Sequence, residues 1–131
     1  MPTNDTPPPP ALSEAEARIM EVLWRRHPLA ADEILGALRG EPVWQLATVK
    51  TLVNRLLGKG AIDADKDGRR FLYRPVLQRE DWLAQESQGF LERLFQGRVA
   101  PLVAHFARHR KLKKSDLEAL RRLLEENDRG G

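Results

Sequence analysis

Residues 46–60 read LATVKTLVNRLLGKG, and their apolar side chains recur at the spacing of an amphipathic helix. The spacing i, i+3, i+4, i+7 places these side chains on one buried side, and they are Val49, Leu52, Val53 and Leu56. The pattern predicts a helix that begins at Leu46 or Ala47 and ends at Lys59, where Gly60 stops it.

The opposite face of this helix has the chemistry of a DNA-reading surface. No carboxylate occurs from Ala47 to Lys59, whereas other helical stretches of the chain mix glutamate with their cations. Arginine pairs with guanine, asparagine with adenine, and threonine with phosphates, base edges or a thymine methyl. The alternative is an ordinary solvated helix face. The candidate DNA-binding residues on this helix are Thr48, Lys50, Thr51, Asn54 and Arg55.

The elements around this helix predict a winged helix-turn-helix domain over residues 12–77. Ser13 and Glu16 form a capping-box pattern that opens a helix to about Arg26, and a short helix follows over residues 31–38. After the third helix the period changes to two, and Asp67-Gly68 predicts a hairpin turn. In this fold the third helix enters the major groove and the hairpin, or wing, touches the flanking backbone. Cations at the wing tip would then contact phosphates, although a plain solvated turn explains them as well: Lys66, Arg69 and Arg70.

Residues 78–127 predict three more helices, over about 80–95, 99–108 and from a second capping-box pattern at Ser115 and Glu118 onward. About fifty residues are too few to bury all of their apolar side chains within one chain, so we expect a second copy to share the core. The alternative is packing against the winged helix. The candidate dimerisation residues are Leu83, Phe90, Leu91, Leu94, Leu102, Val103, Phe106, Leu117, Leu120 and Leu124. Residues 1–11, rich in proline, are expected to be a disordered tail, and residues 128–131 to fray.

Composition narrows the function. The 131 residues contain no cysteine and carry a formal net charge of only +3, so thiolate metal sites and disulfides are excluded. No apolar run is long enough for a membrane span and no signal peptide begins the chain, so we expect a cytoplasmic protein without membrane insertion. Neither a phosphate-binding loop nor a metalloprotease motif is present, which argues against an enzyme. His105 and His109 have a metal-ligand spacing but no third ligand type nearby, so no metal or cofactor is predicted.

Several of these segments resemble the penicillinase-repressor family, which includes BlaI, MecI and the related CopY copper repressors. The similar stretches are residues 12–16, 19–24, 48–56 and 59–60, together with Trp44 and, in the wing, Gly68-Arg69 and Tyr73. The stretch Thr-Val-Lys-Thr-Leu-x-Asn-Arg-Leu is the most specific of them. The resemblance covers about residues 12–127.

The resemblance implies a homodimeric repressor on a palindromic operator before a resistance gene, released when a membrane sensor-protease for β-lactams triggers cleavage. The family's DNA-reading positions fall on the same outer residues of the third helix, although Ala47 stands where relatives often have lysine. The family's cleavage segment aligns with residues 102–106, which makes His105 and Phe106 the candidate cleavage site, with histidine in place of asparagine. The cysteine-rich tail of the copper repressors is absent.

We therefore predict a mostly α protein: a winged helix-turn-helix domain of three helices and a β-hairpin wing, followed by a three-helix dimerisation region. Its predicted function is sequence-specific repression on double-stranded DNA. Two alternatives remain at this point, a winged-helix protein-interaction module and a metal- or ligand-gated repressor.

Overall fold

The computed structural model describes residues 8–40 and 43–130 of the chain. Six helices and one two-stranded antiparallel sheet follow one another in it: α1 (Glu14–Arg25), α2 (Ala31–Ala37), α3 (Leu46–Gly58), β1 (Ile62–Asp67), β2 (Arg70–Pro75), α4 (Arg79–Phe95), α5 (Val99–Arg108) and α6 (Lys114–Gly130). The predicted order of elements is confirmed. Of the predicted proline-rich tail, residues 1–7 lie outside the described residues, and residues 8–11 form no helix or strand.

The capping box that opens α1 is confirmed. The backbone N–H of Glu16 donates to Ser13 Oγ at 3.1 Å, and the backbone N–H of Ser13 donates to Glu16 Oε1 at 2.7 Å. These two bonds satisfy donors that the first turn of a helix leaves without partners. The helix then buries Ile19, Met20 and Leu23.

Helix α3 packs its predicted apolar side into the core. All four residues of that stripe are buried, together with Ile34 of α2 and Ile62 of β1. The helix ends at Gly58 with Lys59 as its C-cap, and Gly60 follows in the left-handed region at φ 74°. Glycine reaches this conformation without a Cβ clash, which lets the chain turn directly into β1.

The hairpin turn lies one residue further along the chain than Asp67-Gly68 predicts. Asp67 pairs with Arg70 as the last rung of the sheet, so the two central residues are Gly68 and Arg69. Gly68 has φ 65°, whereas Arg69 is not among the residues with positive φ. Left-handed backbone at the first central position only is typical of a type II′ turn, in which glycine occupies that position. The shift matters because Arg69 becomes the tip of the wing.

The chain divides into two compact units between Gln85 and Glu86, within α4, and not after residue 77 as the sequence predicts. The physical reason is Trp82, whose ring lies 5.3 Å from that of Trp24. Trp24 also donates its indole N–H to the carbonyl of Leu77 at 2.8 Å. The start of α4 therefore belongs to the N-terminal unit, because its aromatic side chain completes that core.

The C-terminal unit consists of the end of α4, α5 and α6. The second capping box is wrong: α6 begins at Lys114, so Ser115 lies inside it, and the side chain that caps the turn is Asp116, which accepts from the backbone N–H of Lys113 at 3.0 Å. Residues 128–130, predicted to fray, are helical, since no proline or glycine interrupts α6 before Gly130. None of residues 86–128 is buried.

Candidate nucleic-acid interface

The five predicted residues of α3 share one exposed surface, which we call the reading face: Thr48, Lys50, Thr51, Asn54 and Arg55. Helical spacing sets Thr51 and Arg55 in one row and Lys50 and Asn54 in the next. The hydroxyl of Thr51 donates to the carbonyl of Ala47 at 3.0 Å, so its oxygen still accepts hydrogen bonds from outside. Neither cation of the reading face forms an ion pair with another described residue. The two cations of the reading face, Lys50 and Arg55, are therefore exposed without a counterion among the described residues.

An ion pair between a buried carboxylate and a partly exposed lysine fixes the end of α3 against the start of α1. Lys59 Nζ lies 2.6 Å from Glu16 Oε1 and 2.8 Å from the carbonyl oxygen of Ala11. Burial raises the pKa of Glu16, but the hydrogen bonds from Lys59 and Ser13 outweigh burial, and the net result is a lowered pKa. Glu16 is thus a carboxylate at neutral pH although only 2% of it is exposed. The pair orients the helix that carries the reading face.

The sequence pattern predicts Glu16 only as half of a capping box, and its ion pair with Lys59 is a second role that the pattern did not predict. A signal was present: Glu16 lies three, four and seven residues before Ile19, Met20 and Leu23, on their buried stripe. A carboxylate in such a stripe needs a cationic partner. Which cation it meets depends on tertiary packing.

The structure brings the reading face and the wing together around one groove of about 450 Å³. Lys50 of α3 lines this groove with Arg69 and Arg70 of the wing, so three predicted DNA-binding cations from two segments converge in a groove that also contains one acid, Asp32 of α2. A groove with cations on both walls suits an anionic strand that passes between helix and wing.

The wing cations differ in their counterions. Arg70 lies 3.9 Å from Glu33 and 3.7 Å from Asp67, and Arg74 is paired with Asp65. Two of the wing's aspartates, Asp65 and Asp67, are therefore engaged by Arg74 and Arg70, whereas Asp63 forms no ion pair with another described residue. Lys66 and Arg69 form no ion pair within the described ranges.

Phe71 is a candidate contact that sequence reasoning did not select. It pairs across the sheet with Lys66 and lines the groove beside Lys50, and 49% of its surface is exposed. Period-two alternation assigns it to the same face of the hairpin as Tyr73, which packs against the core. The signal available from sequence was that this face continues beyond the core. An exposed ring in a cationic groove can contact the apolar face of a sugar.

The predicted dimerisation residues lie mostly in the C-terminal unit, apart from Leu83, which precedes the division of the chain. Leu91, Leu102, Val103 and Leu120 are half buried, and the remainder are exposed. A groove of about 800 Å³ runs between α5 and α6 and contains three residues of the predicted set, Val103, Leu120 and Leu124. The unit thus displays apolar surface that its own helices leave uncovered.

The candidate cleavage residues His105 and Phe106 are exposed in the interior of α5. The ring of His105 lies 4.5 Å from that of His109, as their spacing predicts. No group of three or more metal-binding side chains occurs among the described residues. No described helix is long and apolar enough to cross a membrane.

Comparison with known proteins gives four concordant similarities. The family model described as penicillinase repressor matches residues 12–126. The penicillinase repressor of Bacillus licheniformis is 30% identical over 118 residues, which cover 90% of this chain and 92% of that relative. The methicillin resistance regulatory protein MecI of Staphylococcus aureus is 29% identical over 113 residues, which cover 86% of this chain and 92% of MecI. The solution structure of the DNA-binding domain of the repressor BlaI aligns with a TM-score of 0.50 and 33% identity, over 56% of this chain and 89% of that domain.

Proposed function

This chain belongs to the penicillinase repressor family, and we propose that it is a DNA-binding transcriptional repressor that acts as a homodimer on a palindromic operator in the cytoplasm. The observation that carries the proposal is the reading face of α3, exposed and free of acid, with the wing cations across one groove from it. The Bacillus licheniformis relative is a repressor by name and MecI a regulatory protein by name, and the solved domain that this chain resembles is described as the DNA-binding domain of a repressor.

Each residue of the reading face and each predicted wing cation has a proposed role in DNA binding. Arg55 and Asn54 are proposed to contact base edges in the major groove, because a guanidinium matches the two acceptors of guanine and an amide matches adenine. Thr48, Lys50 and Thr51 are proposed to contact phosphates or a mixture of phosphates and bases. Lys66, Arg69 and Arg70 are proposed to hold the phosphates beside the wing, which fix register without reading sequence.

The homodimer rests on the uncovered apolar surface of the C-terminal unit. Val99, Leu123 and Leu124 line one groove and expose 57%, 59% and 65% of their surfaces, and large contiguous apolar patches are unusual on a monomeric soluble protein. A second copy related by two-fold symmetry covers this surface and also duplicates the reading face. Two reading faces one helical turn of DNA apart then recognise the two halves of a palindrome.

The experiment that tests this function is selection of binding sites from random double-stranded DNA with the full chain. The expected result is an enriched palindrome that binds one dimer, and its sequence can then be sought before β-lactam or related resistance genes. Only weak, salt-sensitive binding without an enriched site would overturn the proposal and favour a winged-helix protein-interaction module. Adding zinc or copper to the binding reaction tests metal gating in the same assay.

Relief of repression by a membrane sensor-protease is the second part of the proposal. It is supported by the family resemblance of residues 102–106 and by the exposure of His105 and Phe106. Since the bond between them lies inside α5, this helix must unwind before the bond can enter a protease cleft. Mass spectrometry of the chain from β-lactam-treated cells should find a fragment that ends at His105; intact protein after derepression would contradict this route.

A further inference from the structure

The strongest cationic surface outside the reading face and the wing lies at the α5–α6 connection. Between Glu92 and Asp116 the chain has seven lysines and arginines and no acid. Five of the seven lie in residues 108–114, which we call the cationic turn: Arg108, Arg110, Lys111, Lys113 and Lys114. All five are exposed, and none forms an ion pair with another described residue.

Arg110 occupies a position where folding favours glycine. The N–H of Arg110 donates to the carbonyl of Ala107 at 3.2 Å, and the N–H of Lys111 donates to that of Phe106 at 2.9 Å. These two bonds form a Schellman motif after α5, with Arg110 in the left-handed region at φ 56°. A residue with a Cβ is strained in this conformation, whereas glycine is not.

Lys113 and Lys114 also occupy positions that helix formation disfavours for cations. The carbonyl of Lys113 accepts the bond from the N–H of Leu117, so Lys113 is the N-cap of α6 and Lys114 is its first residue. The N-terminal end of a helix carries partial positive charge, which favours acids in this turn. Serine, threonine, aspartate or asparagine would also cap the helix with a side-chain oxygen, which lysine lacks.

The stability of the turn therefore does not account for all of its charge. Arg108 lies in the last turn of α5 and Arg110 and Lys111 follow it closely, where the helix end favours cations, but this does not explain the cations at the start of α6. Leu112, the one apolar residue of the turn, is half buried, so the turn has no exposed apolar side chain of the kind that membrane-surface segments insert into lipid. A surface of cations alone, without apolar contacts, has the chemistry that binds phosphates regardless of sequence.

We propose that the cationic turn binds the phosphate backbone of double-stranded DNA and contributes sequence-independent affinity to the repressor. This inference rests on the proposed function, because double-stranded DNA is the polyanion that the repressor is proposed to bind. In a homodimer the turn occurs twice. Its contribution is to affinity and salt dependence, while the reading face determines which sequence is bound.

The test variant is Arg110→Gly combined with Lys113→Ser, because both substitutions improve the local fold. The matched control, Arg121→Ala with Arg122→Ala, removes the same charge from exposed positions of α6 that have Glu118 and Glu125 nearby. Dissociation constants are measured against salt concentration, on the selected operator and on random DNA. Thermal unfolding and sedimentation of each variant accompany them.

The test variant should unfold at the same or a higher temperature and remain a dimer, yet bind both DNAs less tightly. Removing four positive charges per dimer should reduce the slope of log affinity against log salt by about two to four units, and weaken binding roughly tenfold or more at 0.1 M salt. The control should change the slope by less than about one unit. A slope equal to that of the control overturns the inference.

Two further results separate this inference from its alternatives. If the wild-type chain selects no operator, the proposed function fails; if it selects one and the test variant keeps the wild-type salt slope, only the cationic turn is assigned wrongly. Binding to vesicles of phosphatidylserine and phosphatidylcholine is measured in parallel. Loss of vesicle binding with an unchanged DNA slope would assign the turn to a lipid surface and overturn the inference.

Discussion

Replacing Lys59 with methionine should destabilise the N-terminal unit because it leaves the Glu16 carboxylate buried without its cation. Glu16 is 2% exposed and Lys59 35%, so the pair is shielded on one side only. Lys59→Met removes the charged hydrogen bond to Glu16 Oε1 and the one to the carbonyl of Ala11. Hydrogen bonds to charged groups contribute about 1.5–3 kcal/mol. Breaking a half-exposed ion pair lowers the free energy of unfolding by less than breaking a fully buried one, so we expect Lys59→Met to lower it by about 2 kcal/mol at pH 7.

The loss of unfolding free energy in Lys59→Met should be larger at pH 7 than at low pH. In the wild type the pKa of Glu16 is lowered on folding, so its contribution to stability is present above the unfolded pKa and lost as pH falls through the folded pKa. Without Lys59, burial opposes only the hydrogen bonds with Ser13, so the pKa of the same carboxyl is higher than in the wild type and the variant loses less stability as the pH falls. The difference in unfolding free energy between the two proteins should therefore shrink from pH 7 toward pH 3.

The assay is urea unfolding followed by tryptophan fluorescence. All three tryptophans, Trp24, Trp44 and Trp82, precede the division at Gln85, so the signal reports the N-terminal unit of the full chain. Lys66→Met is the matched control, because Lys66 is exposed without an ion pair to any described residue. A difference for Lys59→Met that is the same at pH 7 and pH 3 would refute the role given to the ion pair.

Three further substitutions test the interface and the junction in α4. Arg55→Ala should weaken binding to the selected operator by about 1–3 kcal/mol and relax its sequence preference; an equal loss on random DNA in the same titration would contradict base reading. Lys66→Ala should reduce the salt slope by about one unit for each phosphate that the lysine neutralises, and Arg70→Ala by less, since Glu33 and Asp67 already partly neutralise Arg70. Trp82→Ala should lower the unfolding free energy of the N-terminal unit by about 2–3 kcal/mol, because the packing of the Trp82 ring on Trp24 is removed. Urea unfolding measures this loss, and an unchanged midpoint would mean that α4 does not complete this core.

Much of the candidate site could be predicted from sequence because its determinants are local. The stripe from Val49 to Leu56 fixes which side of α3 is buried, and the opposite side follows from 3.6 residues per turn. The hairpin follows in the same way from its alternating period and one glycine, although the turn centre moved by one residue. Local patterns also misled, as at Ser115, where Asp116 makes the hydrogen bond at the helix start in place of the predicted box.

The sequence by itself determined the order of elements, the buried face of each helix in the N-terminal unit and the residues of the reading face. Only tertiary structure decided that Glu16 meets Lys59, that Trp82 joins Trp24, and that Lys50 shares a groove with the wing arginines. The physical reason is separation along the chain. Helical and strand periods act over a few residues, whereas Glu16 and Lys59 are 43 residues apart, and such partners meet only when the whole core packs.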